Sequence, residues 1–199
     1  MIKNMFLLCL TGLISFSCKN KGIENRKKEI SEYIQQIDAF NASLTEISDT
    51  SAYEALKKIK IIEKDFKHCS SKFADTLSHC NIYNLKNHSD LNPPFSKAIT
   101  KRIALMRRLI DKKYEFQMKS LANAKTLLDS TEVVLKDMKP SPVEEMKQMQ
   151  EETRMQHEKN KKQYKLSIAN FKAERDKGLK KLKEEAEILD HPEKLLTLF

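Results

Sequence analysis

From Ile23 to Phe199 the chain contains a single glycine, Gly178. That scarcity constrains the fold more than any motif does. Phosphate-cradling loops, dinucleotide fingerprints and nucleophile elbows need glycine where backbone turns tightly or approaches a ligand, and tight β-hairpins need it for positive φ. What the chain has instead is helical spacing. Ile30, Ile37 and Leu44 recur every seven residues, with Tyr33, Phe40 and Ile47 offset by three, so residues 24–48 are expected to form an amphipathic helix that packs on a partner. Ser48, Asp49, Thr50 and Ser51 supply a turn and an N-cap. A second stripe follows at threes and fours: Tyr53, Leu56, Ile59, Ile62, Phe66, Cys69, Phe73, Leu77 and Cys80.

Proline marks where the helices stop. Residues 81–96, NIYNLKNHSDLNPPFS, carry four asparagines and the pair Pro93-Pro94, and read as the main loop, with Ser96 capping a third helix over 97–138. Its apolar face runs Ile99, Ile103, Met106, Ile110, Tyr114, Leu121, Leu128 and Leu135. Ser141-Pro142-Val143-Glu144 reads as a capping box with proline at the first helical position, opening a fourth helix over 142–190 that ends before Pro192. So short a turn makes the two long helices antiparallel neighbours. The expected fold is all-α: an elongated antiparallel three- to four-helix bundle built on the hairpin 97–138 and 142–190, as one domain over 24–199. In the middle of the fourth helix, EETRMQHEKNKKQ over 151–163 has Met155 as its one apolar residue. That stretch either crosses a solvated part of the hairpin or contributes polar layers through Thr153, His157 and Asn160.

Local signatures of catalysis are missing, and the expectation is a non-enzymatic protein without cofactor. Serines and histidines are present, yet nothing in the spacing arranges a nucleophile with its base and an orienting acid. Glu144, Glu145, Glu151 and Glu152 lack the Glu-x-x-His partner that a carboxylate metal site on a helix bundle uses. His68-Cys69 and His79-Cys80 repeat one dipeptide, but their spacing matches neither a helical HxxxH pair nor a CxxC knuckle, so no metal is expected. Cys69 and Cys80 lie eleven residues apart, ~16 Å along a continuous helix, against the ~7 Å that a disulfide tolerates. Two outcomes stay open: the second helix breaks around Asp75–Ser78 and folds back to form the bridge, or both thiols lie in the core.

The amino terminus carries the most specific signal. In MIKNMFLLCLTGLISFS one positive charge, Lys3, precedes an apolar run from Met5 to Phe16 and small residues before Cys18. This is the layout of a secretory signal, with a run too short to span a bilayer. Leu13-Ile14-Ser15-Phe16-Ser17-Cys18 resembles a relaxed bacterial lipobox, which implies cleavage after Ser17 and acylation of Cys18. Residues 1–17 are then a signal peptide and 18–23 a lipidated tether. The mature chain keeps 182 residues, and its formal charge falls by the one lysine removed, from +9 to +8.

Positive charge is clustered as well as abundant. Arg107, Arg108, Lys112 and Lys113 form one basic patch, Lys159, Lys161, Lys162 and Lys165 another, and both suit an acidic glycan or an acidic host protein. Acids at helix-pair spacing, such as Glu158 before Lys162, are equally what a plain solvated face looks like. With an export signal, nucleic acid is not expected as partner. Lipobox, charged tether and glycine-poor helical chain together resemble the small surface lipoproteins of Borrelia-type spirochaetes. The resemblance implies a lipid-anchored, surface-exposed outer-membrane protein that binds host components through a helical bundle. A periplasm-facing structural or assembly lipoprotein is the second reading. The apolar tail Leu195–Phe199 is assigned no role.

Overall fold

The computed structural model describes residues 2–47, 51–78 and 91–188, with side chains described over 23–47, 51–74, 91 and 93–187. Four helices account for nearly all of it: α1 (Ile2–Thr45), α2 (Ala52–Ser78), α3 (Asn92–Asp137) and α4 (Glu144–Ile188). No strand occurs among the described residues. The all-α bundle expected from the heptads is the fold.

Helix ends follow from backbone hydrogen bonding. Ser51 caps α2: its Oγ accepts from the Glu54 N–H at 3.3 Å while its carbonyl accepts from Ala55 at 2.9 Å. Helix α3 begins at Asn92, inside the stretch expected to be loop, so Pro93 and Pro94 lie in its first turn and Ser96 is not its cap. First-turn N–H groups have no intrahelical acceptor, so prolines there forfeit no hydrogen bond. Residues 81–90 of the expected loop lie outside the described residues. Helix α1 continues through residues 18–23, where the sequence suggested a tether.

The α3–α4 connection also departs from the capping-box expectation. Helix α4 starts at Glu144, two residues later than Pro142. Ser141 Oγ accepts from the Val143 N–H at 3.2 Å, whereas the Glu144 carboxylate reaches forward to Lys147 at 2.9 Å instead of back to the cap. Gln150 takes over the bridging role. Its Oε1 accepts from the Ser141 N–H at 3.4 Å and its Nε2 donates to the Lys139 carbonyl at 3.1 Å, tying the turn to the first coils of α4.

Tertiary contacts gather into two compact units, the first formed by Met1–Glu46, Ile62–Met106 and Leu182–Phe199, the second by Ile47–Ile61 and Arg107–Lys181. In the first unit the core takes Ile30, Tyr33, Ile37 and Leu44 from α1, Ile62, Phe66, Cys69 and Phe73 from α2, Phe95, Ile99 and Leu105 from α3, and Leu182 from α4. Aromatic rings organise it. Tyr33 stacks on Phe73 with centroids 4.0 Å apart, Phe73 lies 6.4 Å from Phe95, and Phe40 meets Phe66 edge-on at 5.8 Å. The buried line on α3 runs Phe95, Ala98 and Ile99, Arg102, Leu105 and Leu109, so Ile99 is buried as expected while Ile103, Met106 and Ile110 each give way to the residue before it. Arg102 hides the true seam from hydropathy, because its guanidinium is buried against Glu185 at 2.6 Å. Tyr53, expected on the stripe of α2, is 79% exposed, and Ala55 takes its place.

In the second unit α3 and α4 run antiparallel, as their ion pairs record: Asp111 with Arg175 at 2.8 Å, Lys113 with Glu174 at 2.8 Å, and Glu132 with Lys161 at 3.3 Å. Buried side chains here are few. Ile47, Ala55, Ile59, Leu109 and Phe116 anchor one end. Between Gln117 and Lys181, His157 is the one buried side chain among the described residues. Gly178 sits where α4 approaches α3 closely; a Cβ there would lie 2.9 Å from Ile110 Cδ1 and 3.3 Å from its Cγ1.

Candidate functional site

The basic patches named from the sequence all lie in the second unit, and the structure sorts them. On α3, Arg107 and Arg108 are exposed, whereas Lys112 and Lys113 are half-buried and engaged. Lys112 pairs with Glu115 at 3.0 Å and lies 5.6 Å from the centroid of the Phe116 ring, and Lys119 caps the same ring at 5.0 Å. Lys113 donates to Glu174, and that hydrogen bond holds the Glu174 carboxyl below the usual carboxylate range. On α4, Lys161 turns in to Glu132, whose carboxyl is pulled down by hydrogen bonds from Lys161 and Lys136. Lys159, Lys162 and Lys165 remain exposed on the same helix. The two sequence clusters therefore divide into lysines that bind the hairpin together and cations that face solvent. Lys161 stands two residues from Lys159 and one from Lys162, which turns it onto a different side of the helix from either and lets it meet α3.

Two concavities lie along the hairpin, the second of them beside Lys159 and Lys162. One, of about 730 Å³, lies between α3 and α4 and is lined on the α3 side by Leu121, Leu127 and Leu128, and on the α4 side by Met149, His157 and Tyr164. Both ring nitrogens of His157 are buried without a hydrogen-bond partner. Of the polar layers expected from Thr153, His157 and Asn160, only His157 is buried; Thr153 Oγ1 turns back to the Met149 carbonyl at 2.8 Å, and Asn160 accepts from Gln156 at 2.8 Å. The second concavity, of about 550 Å³, runs along α4 past Glu151, Met155, Lys159, Lys162 and Leu166. Gln163 lines both, so they adjoin.

The cysteine alternatives narrow. Helix α2 is unbroken from Ala52 to Ser78, so of the two outcomes left open the break around Asp75–Ser78 is not found. Cys69 is a buried thiol whose Sγ donates to Gln36 Oε1 at 2.6 Å, and burial pushes its ionisation upward against the pull of Lys72. A thiol so placed is a poor nucleophile. Cys80 lies outside the described residues, as does the tail Leu195–Phe199; the helix that contains Cys18 is described, the Cys18 side chain is not.

Among the described residues, no group of three or more His, Cys, Asp or Glu is placed to hold a metal ion, and no helix is long and apolar enough to cross a membrane. What the sequence did not reveal is the apolar surface of the hairpin. Leu127, Val133, Val134, Val143, Met146, Met149, Met155 and Leu166 are each more than half exposed. Val143, Met146 and Met149 follow one another at intervals of three, as core residues of a helix do, yet they lie exposed. Comparison with protein-family models, with curated proteins and with solved structures finds no match for this chain.

Proposed function

We propose that the chain is a bacterial lipoprotein, tethered through acylated Cys18 to the outer membrane and exposed at the cell surface, where its helices bind a host ligand without catalysis. The observation that carries this reading is the amino terminus: the single charge of Lys3, the apolar run Met5–Phe16, and Ser17-Cys18. Two or more acyl chains, each buried CH₂ contributing ~0.8 kcal/mol, give the stable attachment that one chain does not. The exposed cations, Arg107 and Arg108 on α3 and Lys159, Lys162 and Lys165 on α4, suit an acidic glycan or acidic protein as ligand. Changing Cys18→Ala is expected to abolish lipid labelling and move the protein from the detergent phase to the aqueous phase. Protease treatment of intact cells is expected to remove it; a labelled protein that survives such treatment with the outer membrane intact would sink the surface reading.

A periplasm-facing assembly protein is the second reading. The exposed apolar residues of the α3–α4 hairpin favour it, since monomeric proteins rarely leave apolar patches of that extent to water.

A further inference from the structure

We propose that a second copy of this chain docks antiparallel on α4, about a two-fold axis passing beside Met155. The argument begins with charge along one helix. Residues 143–152 carry four glutamates and one lysine, a net charge of −3, and residues 158–165 carry four lysines and one glutamate, a net charge of +3. The two blocks are equal in magnitude and lie at equal distances either side of Met155. Rotation by half a turn about that point sets Glu151 across from Lys159 and Glu145 across from Lys165 in the other copy, two opposite-charge pairs against the one like pair of Glu152 and Glu158. A parallel arrangement sets like charge on like. A surface complementary to itself under one particular two-fold rotation is the requirement of an isologous dimer.

These blocks are neutralised only in part: within α4 Glu144 pairs with Lys147 at 2.9 Å and Glu151 meets Arg154 at 4.0 Å, both pairs open to solvent, and α3 reaches one member of the basic block. Lys161 alone of the four lysines turns in to Glu132, and residues 121–128 of α3, which flank the basic block across the groove, contribute Lys125 and no acid. Apolar surface is in place at the axis. Met155 is 65% exposed in the middle of the 550 Å³ concavity, Leu166 is exposed at its end, and Met149 and Leu127 line the adjoining groove. Methionine and leucine at the centre with charges of opposite sign at the flanks is the arrangement of an antiparallel helix pair, in which flanking charges set orientation.

The test uses the full-length chain in mild detergent. Sedimentation is expected to give a mass of two chains. Met155→Cys is expected to form an intermolecular disulfide under mild oxidation beyond the background that the native cysteines give in the parent chain. Reversing the acidic side (Glu151→Lys with Glu145→Lys) or the basic side (Lys159→Glu with Lys165→Glu) is expected to weaken association at least about tenfold, and combining both reversals is expected to restore it. Helicity by circular dichroism controls for folding, and the restoration by the combined variant excludes mere damage. A monomer at micromolar concentration, an association indifferent to both reversals, or a purified chain whose α4 surface is already occupied by a small amphiphile would each overturn the proposal. None of these results bears on the anchor, which the Cys18 variant reads separately.

Discussion

At Tyr33 three physical effects meet in one side chain. Its ring stacks on Phe73, its hydroxyl shares a 3.0 Å hydrogen bond with Ser70 Oγ, and burial pushes its phenol up from 10.0 to about 12. Burial disfavours the phenolate, and the Ser70 bond offsets only part of that. The folded chain therefore holds a proton between pH 10 and about 12 that the unfolded chain has released, so stability is full below pH 10 and falls as pH rises through this window. A shift of this size corresponds to roughly 2–3 kcal/mol. Urea unfolding at pH 9 and pH 11.5 is expected to show the loss in the parent chain and a smaller one in Tyr33→Phe. Equal slopes would mean that Tyr33 ionises freely. Cys69, whose thiol burial also pushes upward, contributes in the same direction at alkaline pH. The sequence placed both residues on core stripes correctly. It offered no sign of the Ser70 and Gln36 partners, because these come from helices 37 and 33 residues away in the chain.

Helices were the most legible level. Heptad spacing named Ile30, Tyr33, Ile37 and Leu44 of α1, and Ile47 just past its end, as buried, while Phe40 of the same seam is half-buried; Ser51 was readable as a cap because side-chain capping is a local interaction. The α3–α4 turn was misread because its decisive contact spans nine to eleven residues: Gln150 reaches back to Ser141 and Lys139. Gln150→Ala is expected to lower stability by roughly 0.5–1.5 kcal/mol, about as much as Ser141→Ala, since each removes satisfaction from the same exposed turn. A thermal scan of both single variants and the double is expected to show less than additive loss. Full additivity would separate the two residues. On α3 the stripe beyond Ile99 was displaced by one position because Arg102 counts as surface in any hydropathy pattern, whereas its guanidinium is buried against Glu185.

At the scale of the whole molecule the two units differ in how much they bury. The first collects aromatic and aliphatic side chains from four helices, whereas the hairpin beyond Phe116 buries His157 and otherwise relies on exposed and half-exposed ion pairs such as Lys161 with Glu132. Exposed pairs are each worth ~0–1 kcal/mol. Native-state hydrogen exchange, at concentrations low enough to keep copies apart, is expected to give lower opening free energies for amides of residues 121–160 than for residues 95–110. Uniform protection across both would contradict it. This gradient also gives the exposed methionines their meaning, because a hairpin with little core of its own gains most from a second copy.

The sequence by itself determined the helical class, the positions of most helix boundaries and the amino-terminal signature, because periodicity, capping and glycine scarcity act over one or two turns of chain. Only the tertiary structure decided which apolar residues are core and which are surface. Ile37 and Met155 carry the same local message, a large apolar side chain on a regular helix, yet one is fully buried and the other 65% exposed. The difference is the number of neighbouring helices at each place, and burial, unlike helix formation, is a property of neighbours brought from elsewhere in the chain.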